Sequence, residues 1–152
     1  MSDIIHPLPH QDEAELATLG ALLIDMDSME TVSKLLRPFD FYRPAHRHIY
    51  DAMLALFNSG MSIDLITLVD ELRANRGLWK AGGLSYVSRL TSAVPTSANV
   101  EYYARIVQAA SIRRSLIRIG REIIEGAQDD RRVACDVLSE AKRSIDELEG
   151  TK

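Results

Sequence analysis

Few residues in this chain could carry chemistry, and their spacing decides most of the question. The histidines are His6, His10, His46 and His48, and Cys135 is the single cysteine. His46 and His48 lie two apart on a predicted helix, about 200° from one another around it, whereas two side chains that share a metal from one helix sit four apart. His46 instead falls three residues before Ile49, toward an apolar stripe, which is the position of a hydrogen-bonded core histidine. Cys135 lies on the side of its helix opposite the apolar stripe, with no histidine nearby in sequence, and no serine stands in a nucleophile-elbow motif. A nucleotide-binding P-loop needs glycines followed by Lys-Ser or Lys-Thr, so that backbone amides and an ammonium cradle phosphates. None of the eight glycines precedes a lysine, and Gly82-Gly83 runs into Leu84-Ser85, which reads as a tight turn. The sequence therefore assigns no catalytic, cofactor-binding or metal-ligating residues, and the expectation is a chain that does not hydrolyse ATP.

Of 18 basic residues only Lys34, Lys80, Lys142 and Lys152 are lysines, so arginine supplies most of the positive charge. The net charge of -4 provides no global field to draw in nucleic acid. Arg105, Arg113, Arg114, Arg118 and Arg121 form the densest basic cluster. Glu122 and Glu125 lie beside them, and Arg118 with Glu122 is an i, i+4 pair, as on a salt-bridged solvated face. Aromatic residues on which single strands could stack are absent from Arg113 onward. Direct nucleic-acid binding is thus expected to be weak or absent. No stretch reaches the roughly 18 apolar residues of a membrane span. The N-terminus lacks the layout of an export signal, and one cysteine cannot form an internal bridge. These features point to a cytoplasmic protein with no membrane partner.

The elements that must position these residues are helices. Residues 1–10, with Pro7 and Pro9, read as a flexible arm. Asp12 and Glu15 make a capping-box pattern before Leu16, Leu19, Gly20 and Leu23, which fall at helical spacing. Asp27 and Glu30 repeat the cap signal before a short helix that stops near Pro38. Pro44 opens a third helix with a buried stripe of Ile49, Ala52, Met53, Leu56 and Phe57, closed by Asn58-Ser59-Gly60. Asp64 or Thr67 caps a fourth through Leu68, Val69 and Leu72, ending at Asn75-Arg76-Gly77. Gly82-Gly83 opens a fifth, with Tyr86, Val87 and Leu90, ended by Pro95. No segment alternates apolar and polar residues as a strand would. The predicted class is all-α: a compact helical head over 11–95, then a two-helix antiparallel hairpin over 96–150, one domain overall.

The hairpin's helical wheel predicts a partner. Tyr103, Ile106, Ala110, Ile117 and Ile124 fall on one line of the long helix. Ala109, Ile112, Leu116, Ile119, Ile123 and Ala127 fall on a second line about 110° away, so the apolar arc is roughly 200° wide. The returning helix offers Val133, Ala134, Val137, Leu138, Ala141, Ile145 and Leu148 over about 140°. One narrow stripe cannot cover two, and the surplus is expected to meet a second copy, with Ile106, Ala110, Ile117, Gly120 and Ile124 as the oligomer interface. A monomer whose hairpin folds back on the head is the competing arrangement.

Several motifs then carry a family resemblance. Pro9-His10-Gln11-Asp12-Glu13-Ala14-Glu15 is followed by Leu19-Gly20-Ala21-Leu22-Leu23-Ile24-Asp25. Next come Asp40-Phe41-Tyr42 with His46, Ile49 and Tyr50; Asp64 with Thr67, Leu68 and Leu72; and Gly82-Gly83 with Tyr86 and Leu90. Pro95-Thr96 with Asn99, Tyr103-Ala104-Arg105-Ile106-Val107, and Arg114, Leu116 and Ile117 complete the order. From Pro9 to about Glu149 the chain resembles the N-terminal domain of bacterial replicative DNA helicases, the DnaB family. The resemblance implies a non-catalytic collar domain that forms dimers, assembles as a trimer of dimers, and docks the C-terminal helicase-binding domain of primase, with a helicase loader as a further partner. Glu13, Tyr86, Arg114, Ile119 and Ile123 are the candidate primase contacts on that reading. The family's ATPase domain is not among these residues, and the stop at Gly150-Thr151-Lys152, where the family's linker begins, suggests an excised domain. A stand-alone helical nucleic-acid-binding or adaptor domain is the alternative.

Overall fold

A computed structural model describes residues 7–150, and among them the regular structure is entirely helical. The helices are α1 (Asp12–Ile24), α2 (Met29–Leu35), α3 (Pro44–Asn58), α4 (Leu65–Ala74), α5 (Gly83–Arg89), α6 (Val100–Gln128) and α7 (Ala134–Gly150). Short 3-10 turns at Met26–Ser28, Pro38–Asp40 and Leu90–Ser92 lie between them. Most boundaries follow from local chemistry. Pro44 opens α3 where its missing N–H costs nothing, and Gly60 stops it at a φ of 71°. Asp64 and Thr67 cap α4 reciprocally: the Thr67 amide donates to Asp64 Oδ1 at 2.9 Å, and the Asp64 amide donates to Thr67 Oγ1 at 3.0 Å.

Two N-terminal expectations are corrected. Asp12 and Glu15 do not form a capping box, because Gln11 is the N-cap and makes no side-chain cap bond. Ahead of α2 it is Asp25, not Asp27, whose carboxylate accepts a backbone amide, that of Asp27 at 3.0 Å. In the first case tertiary partners claim the side chains that the local pattern had assigned to the cap: Arg43 bonds Asp12, and the Tyr42 and Arg43 amides and His46 bond Glu15.

The contacts divide the chain inside α6, into His10–Ala110 and a second unit that joins 111–150 to 7–9. Pro95 ends the short helices, but packing continues beyond it: Val100, Ala104 and Val107 of α6 belong to the core of the first unit. That core is built around α1, where Leu19, Gly20, Ala21 and Leu22 are consecutively buried, so the helix has almost no solvent face. Ile49, Tyr50, Met53 and Leu56 of α3, Leu68 and Leu72 of α4, and Val87 of α5 complete it. Tyr50 donates its hydroxyl to the Leu36 carbonyl at 2.8 Å, and burial pushes its pKa well above the usual tyrosine range, so it remains a donor. Each large side chain buried this way stabilises the fold by roughly 1.5–3 kcal/mol, against about 0–1 kcal/mol for an exposed ion pair. Apolar packing therefore decides the architecture.

Of the expected arm, residues 1–6 lie outside the described residues. The rest is held: the His10 ring stacks on Tyr42 at 4.2 Å, and the Pro9 carbonyl accepts a bond from the Arg114 guanidinium at 2.9 Å.

Gly20 marks the tightest approach in the head. A Cβ built there would stand 2.7 Å from the Leu90 carbonyl oxygen and 2.9 Å from the Ala93 Cβ. Backbone cannot swing aside as a long side chain can. Gly20→Ala should accordingly lower stability by about 1–3 kcal/mol, despite the higher helix propensity of alanine, as read from the urea midpoint.

Candidate functional site

One polar cluster is sealed inside the head. Glu15 on α1 is 1% exposed, and its carboxylate accepts the Tyr42 amide at 2.9 Å and the Arg43 amide at 3.3 Å. Those amides precede Pro44 and stand at the start of α3, whose N-cap makes no side-chain bond of its own. A carboxylate from a distant helix thus takes the place of a local cap, at the end of α3 where negative charge is favoured. Glu15 Oε1 also bonds His46 Nδ1 at 2.7 Å, and His46 Nε2 bonds the Tyr86 hydroxyl at 2.6 Å. In the tautomer whose Nδ1–H donates to the carboxylate, Nε2 is the acceptor for the phenolic proton.

This chain of carboxylate, imidazole and phenol holds α1, α3 and α5 together. Among the described residues no buried side-chain nitrogen or oxygen lacks a partner. The bonding capacity of the His46 ring is spent within the head, as expected of a core histidine. Tyr86 is half-buried and its ring lies 5.6 Å from the Arg89 guanidinium. Burial, with the nearby Asp12 charge adding to it, pushes the Tyr86 hydroxyl above its ordinary pKa. Its position depends on Gly82, whose φ is 97° and where a Cβ would meet the Tyr86 ring at 2.8 Å. Outside the cluster, Arg43 Nε bonds Asp12 at 3.0 Å, and that bond holds the Asp12 carboxyl below the usual carboxylate range. A depressed carboxyl pKa stabilises above the unfolded value and the effect fades as acid protonates it, so this exposed pair contributes a little at neutral pH and nothing in strong acid.

The surfaces around the head and hairpin are differently built. Gln11, Glu13, Leu16, Ala17, Tyr103 and Ile106 line an open groove on the head. In the second unit α6 and α7 form the expected hairpin. Ile119, Ile123 and Gly126 face Val137, Ala141 and Ser144, and a Cβ on Gly126 would meet Val137 at 3.1 Å. At the bend Arg132 pairs with Glu140, and Arg131 with Asp129 at 3.0 Å; the Arg131 bonds hold Asp129 below the usual carboxylate range. Leu138 is 71% exposed, with Ile145, Leu116 and Ile124 also largely in solvent. Among the described residues no group of three or more His, Cys, Asp or Glu side chains converges as a metal site would require.

The comparisons with known proteins bear on this fold. A family model described as the DnaB-like helicase N-terminal domain matches residues 7–109. The chain belongs to that family. Over 144 residues, 95% of its length, it is 44% identical to the replicative DNA helicase DnaB of Geobacillus stearothermophilus. It is 41% identical over 150 residues to the replicative DNA helicase DnaC of Bacillus subtilis. It spans about a third of the length of these relatives, 32% and 33% respectively. The crystal structure of the N-terminal domain of DnaB helicase from Mycobacterium tuberculosis superposes with a TM-score of 0.87 at 35% identity, covering 93% of this chain and 99% of that one. A DnaB-like replicative helicase, solved for its interactions with primase, matches with a TM-score of 0.74 at 25% identity over 91% of this chain and 31% of its own. The matched portion is the DnaB N-terminal domain and excludes the ATPase region.

Within this DnaB-type domain the residues singled out from sequence are divided between the two units. Ile106 packs partly against the head core and lines the groove beside Glu13, and Ala110 is buried in the same unit. Ile117 and Gly120 are half-buried and Ile124 exposed on the hairpin. Ile119, at 3% exposure, and Ile123 lie in the seam with α7, so α7 already covers much of that line. Arg114 is engaged with the Pro9 carbonyl. Arg118 bonds Glu122 at 3.1 Å and Arg105 bonds Glu101 at 2.8 Å, the salt-bridged face expected of the arginine cluster. Leu138 and Ile145, which the helical wheel had placed with the hairpin stripe, are exposed instead.

Glu15→Ala would leave two amides and a buried imidazole without their acceptor. Loss of one partner from a buried charged network costs about 3–5 kcal/mol, whereas Asp12→Ala, which removes an exposed pair, should cost under about 1 kcal/mol. Urea unfolding of the two variants side by side checks the ranking, and equal costs would refute it.

Proposed function

We propose that this chain is the collar portion of a replicative DNA helicase, which assembles with copies of itself and offers a docking surface to primase. The observation that carries the reading is the apolar surface of the hairpin that α6 and α7 do not cover for each other. Leu116 and Ile124 on α6, and Leu138 and Ile145 on α7, are exposed although each would favour burial by roughly 1.5–3 kcal/mol. Gly120 supports the same reading. A Cβ there would meet nothing within 4 Å, so nothing inside the chain demands a glycine that costs a helix interior about 1 kcal/mol relative to alanine. Close approach by a second copy supplies a reason for it. On this reading Ile117, Gly120 and Ile124 belong to a dimer contact, Ile106 and Ala110 extend it along α6, and three dimers make the collar. Unwinding belongs to the part of the relatives' length that this chain does not span.

Primase docking is the finer part of the proposal, and the helicase solved with its primase interactions supports it. An association that must form and release suits a modest surface with a few anchors. Glu13 at the rim of the head groove is the exposed candidate, Arg114 on the hairpin is half-buried and bonded to the Pro9 carbonyl, Tyr86 is tied into the buried cluster, and Ile119 and Ile123 contribute through the seam they stabilise. A helicase loader is a further proposed partner.

Two measurements test these readings. Ile124→Asp and Leu138→Asp alter exposed side chains, so a monomer would tolerate them within about 0.5 kcal/mol. Sedimentation across a concentration series should show the wild type as a larger species and the double variant as a smaller one of unchanged helicity; unchanged mass would remove the hairpin as the assembly surface. In calorimetric titration with a matched primase C-terminal domain, Glu13→Ala and Arg114→Ala should each weaken binding by about 1–3 kcal/mol without dissolving the oligomer. No binding by the wild type removes the partner, and unaltered binding by both variants removes the residues.

A further inference from the structure

The most exposed large apolar side chain among the described residues is not on the hairpin. Trp79, the only tryptophan in the chain, lies in the segment between α4 and α5 and is 87% exposed. Its surroundings are positive in a chain whose net charge is -4: residues 72–100 contain Arg73, Arg76, Lys80 and Arg89 and no carboxylate. Arg89 is placed against the Tyr86 ring, but Arg73, Arg76 and Lys80 enter no salt bridge among the described residues. The arginines of α6 differ in this respect, since Arg105 and Arg118 are paired with glutamates one turn away. Arg73, Arg76, Leu78, Trp79 and Gly83 line a single shallow depression.

The segment is also pre-formed. Arg76 adopts a left-handed φ of 59°, and the Gly77 and Leu78 amides both bond the Leu72 carbonyl, at 2.7 and 3.1 Å. Gly82 N–H bonds the Trp79 carbonyl at 3.1 Å, and Gly83 N–H bonds that of Leu78 at 2.9 Å. An indole carried on a hydrogen-bonded turn can meet a ligand with little loss of backbone freedom.

We propose that this turn is a docking point for a single-stranded nucleic acid, in which a base stacks on Trp79 and the flanking phosphates meet Arg73, Arg76 and Lys80. A nucleotide offers both halves of the required chemistry, a flat π face and an adjacent anion, and aromatic stacking with cationic backbone contacts is how single strands are held without sequence preference. An acidic peptide would satisfy the cations and leave most of the indole face without a flat partner. The expectation of weak or absent nucleic-acid binding came from α6 and from the net charge, and it did not weigh this turn.

Trp79 reports on its own site, because no other tryptophan contributes to the fluorescence. Titration of the full chain at low salt with an oligothymidylate of about fifteen nucleotides should give saturable quenching. The logarithm of the affinity should fall linearly with the logarithm of salt, with a slope near -0.7 per phosphate contacted. With a labelled oligonucleotide, Trp79→Ala should weaken binding at least about fivefold. Arg73→Glu combined with Lys80→Glu should remove it, with helicity unchanged in both variants. No quenching by the oligonucleotide, or unchanged affinity in Trp79→Ala, overturns the proposal. Quenching by a glutamate-rich peptide and not by the oligonucleotide also overturns it and assigns the turn to a protein partner. This inference does not depend on the collar reading: loss of assembly in the hairpin variants leaves it intact.

Discussion

The Glu15 carboxylate is the constraint around which the head is arranged. It is a charge taken almost wholly out of water, which is tolerable only when both of its oxygens are hydrogen-bonded. Two amides at the start of α3 and the His46 ring meet that requirement, and the His46 ring passes the demand to Tyr86. The Glu15, His46 and Tyr86 side chains come from α1, α3 and α5, so the bonds among them constrain how those three helices are placed. Leucine and alanine neighbours would accept several placements at similar cost. The apolar core supplies most of the driving force, and the polar cluster selects among the packings that the core would allow.

How far this was legible in the sequence depends on whether the cause of each feature is local. Pro44, Gly60, Asp64 with Thr67, and Gly82 act on their immediate neighbours, and the helices they bound were readable from residue type. His46 could be placed in the core because its distance from Ile49 sets its face. Glu15 could not be read correctly, because its partners lie 27 to 31 residues downstream and the same letters also spell a capping box. The end of the head was misjudged for a related reason. Pro95 interrupts the backbone, but only packing reveals that Val100, Ala104 and Val107 still belong to the head core.

The hairpin shows the limit of wheel arithmetic. A surplus of apolar surface was evident, yet a wheel counts arcs and says nothing of how close two helices come. Gly126 lets α7 approach α6, and at that distance Val137, Ala141 and Ser144 suffice for the seam. Leu138 and Ile145, assigned to the same stripe, are left outside it. Both helices therefore carry uncovered surface, where the wheel had assigned the excess to α6 alone. Trp79 was passed over because solitary aromatics in turns have no periodicity to betray them, and its exposure is a property of the fold.

The contribution of α6 to the head core also has a consequence for synthesis. During synthesis α1 emerges before the elements that cover it, and it has almost no solvent face of its own. The rest of the core arrives in sequence, and its last member, Val107, lies 49 residues after the end of α3 at Asn58. At roughly 5–20 residues per second, the interval between the completion of α3 and the arrival of Val107 is about 2 to 10 seconds. During that interval the core that Leu19, Leu22 and Met53 share with Val100, Ala104 and Val107 is incomplete. The head is a nascent intermediate for as long as the first turns of the long helix are still in the tunnel, and a pause in translation before Val107 would prolong the period in which it can be captured by a chaperone or by a neighbouring chain.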